Sequence, residues 1–231
     1  MTERKVKLIK KKKKRRNLKQ HIAIILSLVL SFNIAVPAIE GIVSYAALKE
    51  NSIQEINTFE DFFIFAQASQ NYDYNGVTVR LNKNIDLTEQ KIKDMLNKYE
   101  VTHLTIGTKD RPFKGTFDGQ NHTIEGLVYD PGIIKDPNSG LFSFTDGATI
   151  KNLTLKDSSI ECVYQGGNIV GHAKNTHLEN LTVLNSKLKI SPANNVVSLI
   201  TNLGFCGGGI AGIMENSTMY NCEISGAEVV N

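Results

Sequence analysis

The chain has no His-Glu-x-x-His motif, no nucleophile elbow, no phosphate loop and no dinucleotide fingerprint. These absences remove zinc-protease, acyl-transfer, nucleotide-hydrolysis and nicotinamide chemistry as motif-based readings. Gly207-Gly208-Gly209 is no phosphate cradle, because a strand-like pattern follows it rather than a helix. Cysteine is scarce: Cys162, Cys206 and Cys222 form no CxxC pair and leave an odd count, which argues against structural zinc. One disulfide with a spare thiol, or three packed unpaired cysteines, remain open, and the frequent burial of lone cysteine favours the second. Four histidines lie beyond residue 46, His103, His122, His172 and His177, none at i, i+4 with a glutamate between. Beyond residue 46 only two arginines remain, Arg80 and Arg111.

Basic charge, by contrast, is concentrated at the start. Between Arg4 and Lys19 stand eleven basic residues, with Lys10 to Arg16 unbroken, and an apolar stretch from Ile22 to Ile39 follows. A basic run alone also suits a nuclear signal or a nucleic-acid arm. Next to an apolar helix it reads instead as the cytoplasmic flank of a secretory signal. Small residues at Ser44 and Ala46 place cleavage after Ala46; a less suitable site follows Ala38. Uncleaved, the segment would serve as an anchor, although Asn33 and Pro37 make it a poor span. Removing residues 1–46 takes away eleven of 26 basic and two of 23 acidic residues, leaving 15 against 21 and a net charge of about −6. A basic nucleic-acid groove is therefore not expected, and contact with membrane is expected only through the export signal.

Residues 47–105 read as a capping segment with two short helices. Thr58 and Asp61 resemble a capping box, and Phe59, Phe62, Phe63 and Ala66 share one face of a helix over Phe59–Gln70. Val77, Val79 and Leu81 alternate as a strand, Ile92, Met95, Leu96 and Tyr99 suit a second helix, and His103 to Ile106 return to alternation.

An internal repeat organises residues 106–231. Asn152, Asn180 and Asn221 fall in register, as do Ile150, Leu178 and Met219, and as do Leu141, Ile169 and Ile210; each set is spaced by 28 and then 41 residues. The longer interval implies about 13 inserted residues in a loop around Ser191 to Gly204. Strands at this period cannot bury an apolar side singly and must stack in parallel, so the expected fold is all-β, a right-handed parallel β-helix of four or five turns with an N-terminal helical cap. A β-propeller is disfavoured by the short unit. Stacked asparagines suit tight turns and hydrogen-bonded ladders. The Asn-x-Ser/Thr patterns at Asn121, Asn152, Asn180 and Asn216 read as the same turn chemistry rather than glycosylation sites.

Ile106-Gly107-Thr108, then Pro112-Phe113-Lys114-Gly115-Thr116-Phe117-Asp118-Gly119-Gln120-Asn121-His122-Thr123-Ile124-Glu125-Gly126-Leu127, resembles the opening of GLUG-type repeat regions in bacterial surface proteins. Gly140-Leu141-Phe142 and Gly208-Gly209-Ile210-Ala211-Gly212 look similar. The same region resembles the non-catalytic N-terminal part of immunoglobulin-A-specific metalloendopeptidases of Gram-positive bacteria. The resemblance spans roughly residues 53–231 and implies a β-helix in an extracellular setting, without protease activity. Within the motif, Gly115 and Gly119 are expected to permit a close turn, with Phe113 and Phe117 directed inward and Ile124 and Leu127 opening the next coil.

The functional expectation is a secreted or cell-surface scaffold or adhesion module, not an enzyme, with no catalytic, cofactor-binding or metal-binding residue and no cofactor. Its expected partner is a host protein or glycan met by loops such as Ser191 to Gly204. Its alternatives are an accessory region of a metalloendopeptidase, a passive spacer, or a polysaccharide lyase or glycosidase. The enzyme would need paired carboxylates, for which Asp118 and Asp146 are the candidates, although each precedes a glycine as in ordinary turns. Because the β pattern is still running at Glu223 to Asn231, the chain is expected to be incomplete at its C-terminal side.

Overall fold

The structure is a computed structural model that describes residues 52–88, 90, 93–94, 104–129, 138–162, 165–190 and 206–230. The export segment, most of the second helix, His103 and the loop 191–205 lie outside the described residues.

Chain order begins with β1 (Ile53–Ile56), α1 (Phe59–Ser69), β2 (Thr78–Leu81), β3 (Ile85–Asp86), β4 (Thr116–Glu125) and β5 (Val128–Tyr129). Thr58 caps α1: its Oγ1 accepts from the Asp61 amide, while the Asp61 carboxylate accepts from the Asn57 and Thr58 amides. The buried face of α1 is Phe59, Phe62, Ile64, Phe65, Ala66 and Ser69. Phe63 is only half-buried, so the face is rotated from the expected one. The cause is tertiary: Tyr74, Phe113 and Phe117 form an aromatic site that takes Phe65.

Three units follow. The first holds β6 (Asn138–Ser139), β7 (Phe142–Asp146), β8 (Thr149–Lys156) and β9 (Ser159–Cys162); the second β10 (Gln165–Gly167), β11 (Val170–Lys174), β12 (His177–Leu184) and β13 (Lys187–Ile190). The third holds β14 (Cys206–Gly208), β15 (Ala211–Glu215), β16 (Thr218–Tyr220), β17 (Glu223–Ser225) and β18 (Glu228–Val230). All described pairings are parallel, in four sheets, and each strand pairs with its counterpart one unit away. The fold is therefore all-β with parallel sheets.

The registers are those of the repeat. Ile150 faces Leu178 at 28 residues and Leu178 faces Met219 at 41. Two residues join β9 to β10, whereas fifteen separate β13 from β14, so the 13 extra residues enter there. Alternate residues stack into buried columns: Val79, Phe117, Ile150 and Leu178 form one, and Ile85, Ile124, Leu155 and Val183 another.

Corners between the sheets use left-handed backbone, which asparagine tolerates better than other side chains. Gly147, Asn175 and Asn216 have φ of 75°, 48° and 47° at one corner, and Asn152, Asn180 and Asn221 have 54°, 51° and 49° at the next. Asn121 also has positive φ, so all four Asn-x-Ser/Thr asparagines sit in this conformation. In β4 the register with β8 shifts between Asp118 and His122, leaving Gly119, Gln120 and Asn121 opposite Asn152 alone.

Two local expectations change. Gly115 and Gly119 are not the left-handed residues of that turn; Gln120 and Asn121 are. A Cβ on Gly119 would lie 2.4 Å from the Asn152 carbonyl oxygen, and one on Gly115 2.6 Å from that of Val77, so close backbone approach requires both glycines. Residues 104–106 do not alternate either: Thr105 is buried with Leu104 and Ile106, because its hydroxyl bonds Ser143 Oγ at 2.7 Å and the Gly140 carbonyl at 3.0 Å.

Candidate interaction surface

The outward positions carry two kinds of ordered polar column. The first is the asparagine ladder. Asn221 Nδ2 donates to Asn180 Oδ1 at 2.7 Å, Asn180 Nδ2 to Asn152 Oδ1 at 2.9 Å, and Asn152 Nδ2 to Asp118 Oδ1 at 2.9 Å. Asp118 thus takes the place of an asparagine at the ladder's first step, and its Oδ1 also accepts from the Gln120 amide.

The second kind alternates charge. Glu55, Arg80, Asp118, Lys151 and Glu179 are successive register partners across five strands. Asp146, Lys174 and Glu215 form a shorter column. Direct ion pairs join units: Lys156–Glu125 at 2.8 Å, Lys189–Glu161 at 3.2 Å, and Lys151–Asp118 and Lys187–Glu228 at 3.8 Å. Hydrogen bonds to Glu125 and Asp157 hold the Lys156 ammonium protonated above the usual lysine range. Each exposed pair contributes only about 0.2–1 kcal/mol, yet a one-unit slip would bring like charges together. The columns therefore specify register more than they add stability.

The chain matches no protein-family model, no curated protein and no solved structure. Its chemistry must be read from its own residues.

Asp118 and Asp146 are not brought together as a carboxylate pair. Asp146 ends β7, accepts from Asn175 Nδ2 at 2.8 Å, and lies across the Gly147 corner from the sheet that holds Asp118. The histidines are likewise dispersed. His122 Nδ1 is 3.2 Å from Asn84 Oδ1, His172 Nε2 is 3.1 Å from Glu215 Oε1, and His177 Nδ1 is 2.6 Å from Thr218 Oγ1. Among the described residues no three His, Cys, Asp or Glu side chains cluster as a metal site. Arg80 belongs to the long charge column, while Arg111 lies in the exposed turn closed by Thr108.

Cys162 and Cys222 are both free, and the Cys206 side chain lies outside the described residues. Cys162 is fully buried, and that desolvation pushes its thiol up to about 11. The unfolded thiol ionises near its ordinary value of 9.0 while the folded one stays neutral, so this group stabilises the fold below pH 9 and loses that contribution between pH 9 and about 11. In iodoacetamide labelling at pH 8, followed by mass spectrometry, Cys222 is expected to react in the folded chain and Cys162 only after denaturation. Equal labelling rates would remove the burial argument.

Sequence reasoning missed the surface on which these columns end. β14, β15, β16, β17 and β18 are the outermost strands of their sheets, so one whole unit forms an edge. Its apolar positions continue the buried columns but are uncovered: Met219 is 40%, Ile224 48% and Val229 47% exposed, whereas their partners Leu178, Val183 and Leu188 are fully buried. Extending the 28- and 41-residue offsets to charged and apolar positions together would have located it.

Proposed function

We propose that residues 53–230 coil as a right-handed parallel β-helix, capped by α1, and act as a non-catalytic scaffold or adhesion module on an exported protein. The observation that carries this reading is the constant unit-to-unit offset of parallel pairings in all four sheets. Parallel connections within a sheet follow the right-handed rule, and stacked units of this length suit a solenoid. Export is supported by the basic run and apolar segment before residue 46.

The investment of polar residues supports scaffold over enzyme. Asp118 is engaged by Asn152, the Gln120 amide and Lys151, and Asp146 by Asn175, which are contacts between units rather than a free acid–base pair. The resemblance to GLUG-type surface regions points the same way. The test is to incubate the purified chain with a panel of bacterial and host polysaccharides, measuring binding and product release separately. Binding without turnover, unchanged in Asp118→Asn and Asp146→Asn, is the expected result. Turnover that disappears in either variant while its circular dichroism is retained would replace the scaffold with a glycosidase or lyase.

A further inference from the structure

The uncovered last unit also has a distinctive charge. From Cys206 to Val230 there is no lysine or arginine, and its three ionised side chains are Glu215, Glu223 and Glu228. Glu215 and Glu228 end columns in which acid and base alternate, following Lys174 and Lys187 respectively. Their side chains remain 51% and 68% exposed. The sign rule that orders the earlier units therefore calls for a base in the layer beyond. Beside these acids lie Met214, Met219, Ile224 and Val229, all exposed, on strands with no further strand paired outside them.

We propose that this edge docks an extended segment of a separate protein chain, apolar at alternate residues and bearing Lys or Arg opposite Glu215 and Glu228. Binding adds a strand: backbone hydrogen bonds supply attachment, the apolar residues cover Met219, Ile224 and Val229, and the basic residues fix register. A second copy is the poorer occupant. A two-fold contact sets the same patch against itself, bringing two sets of three glutamates together, and the edge at β1 is where α1 packs. The proposal rests on the layered reading above but not on adhesion or export.

The full chain is titrated with labelled dodecapeptides of alternating valine and lysine, of alternating valine and glutamate, and of the first composition in scrambled order. Fluorescence anisotropy reads the affinity, and hydrogen exchange reads protection of residues 223–230. The alternating lysine peptide binds saturably, at least about tenfold tighter than either control, and protects those amides. The double variant Glu215→Lys/Glu228→Lys reverses the preference to the glutamate peptide. Both glutamates are exposed, so the variant folds; Met219→Asp, with both glutamates kept, independently weakens binding. Equal binding of the scrambled peptide, or no saturable binding, overturns the proposal. So does a concentration-dependent dimer that protects 223–230 without peptide, since the occupant is then a second copy. Loss of the layered reading shows separately, as absent amide protection across β8 and β12 in the free chain.

Discussion

Phe65→Ala is expected to lower the unfolding free energy by about 3–5 kcal/mol, the usual range for deleting a fully buried aromatic. Phe65 is wholly inaccessible, meets Tyr74 edge-on at 5.0 Å between ring centres, and lies 6.0 and 5.9 Å from Phe113 and Phe117. These rings come from four separate stretches, so the cavity cannot close by shifting one segment. The helix is fixed beside it by polar contacts: Gly107 N donates to Ser69 Oγ at 3.1 Å, and Gln70 Nε2 to the Thr105 carbonyl at 2.9 Å. Those anchors oppose relaxation into the space. Phe63→Ala, half-buried beside Phe59, should cost only about 1 kcal/mol. Urea unfolding with a common slope compares the two. Equal losses would mean that the helix does not dock through Phe65.

The second large effect is expected at Asn180, the centre of the ladder. Asn180→Ala removes one donated and one accepted side-chain bond, each about 0.5–1.5 kcal/mol, and places a Cβ-bearing residue without a compensating amide at φ 51°. The left-handed penalty adds about 1 kcal/mol, for a total of about 2–4 kcal/mol. Asn180→Gly restores the backbone freedom but not the ladder, and should recover about 1 kcal/mol of the loss. The comparison separates corner from ladder. If glycine matched the wild type in thermal unfolding, the ladder bonds would contribute nothing.

The extent to which the sequence exposed these features follows from how local each cause is. The capping box at Thr58 and Asp61 involves neighbouring residues and was readable directly. So were the registers of Ile150, Leu178 and Met219, because the repeat displays each partner twice. Phe65 was hidden because its site is assembled from Tyr74, Phe113 and Phe117, while the periodic template was already satisfied by Phe63. Thr105 looked outward by alternation, yet Ser143, far along the chain, provides the hydroxyl that makes its burial tolerable. The charge columns begin in the irregular part of the chain, where Glu55, Arg80, Asp118 and Lys151 are separated by 25, 38 and 33 residues. No single period links them. Only the bulge opposite Asn152 reconciles the early spacing with the later one, and it also brings Asp118 into a ladder otherwise made of asparagine.

The connection between β13 and β14 has a thermodynamic consequence for the unit that follows it. Fifteen residues stand where two suffice between β9 and β10. At about 0.6 kcal/mol for each doubling of length, closing the longer span costs nearly 2 kcal/mol more in chain entropy. The unit from Cys206 onward must recover that from contact on one side only, so it is the first part of the stack to fray. Amide exchange should therefore rise in a step after Ile190 rather than gradually along the stack, and a strand laid on the outer edge would tighten the very layer that receives it.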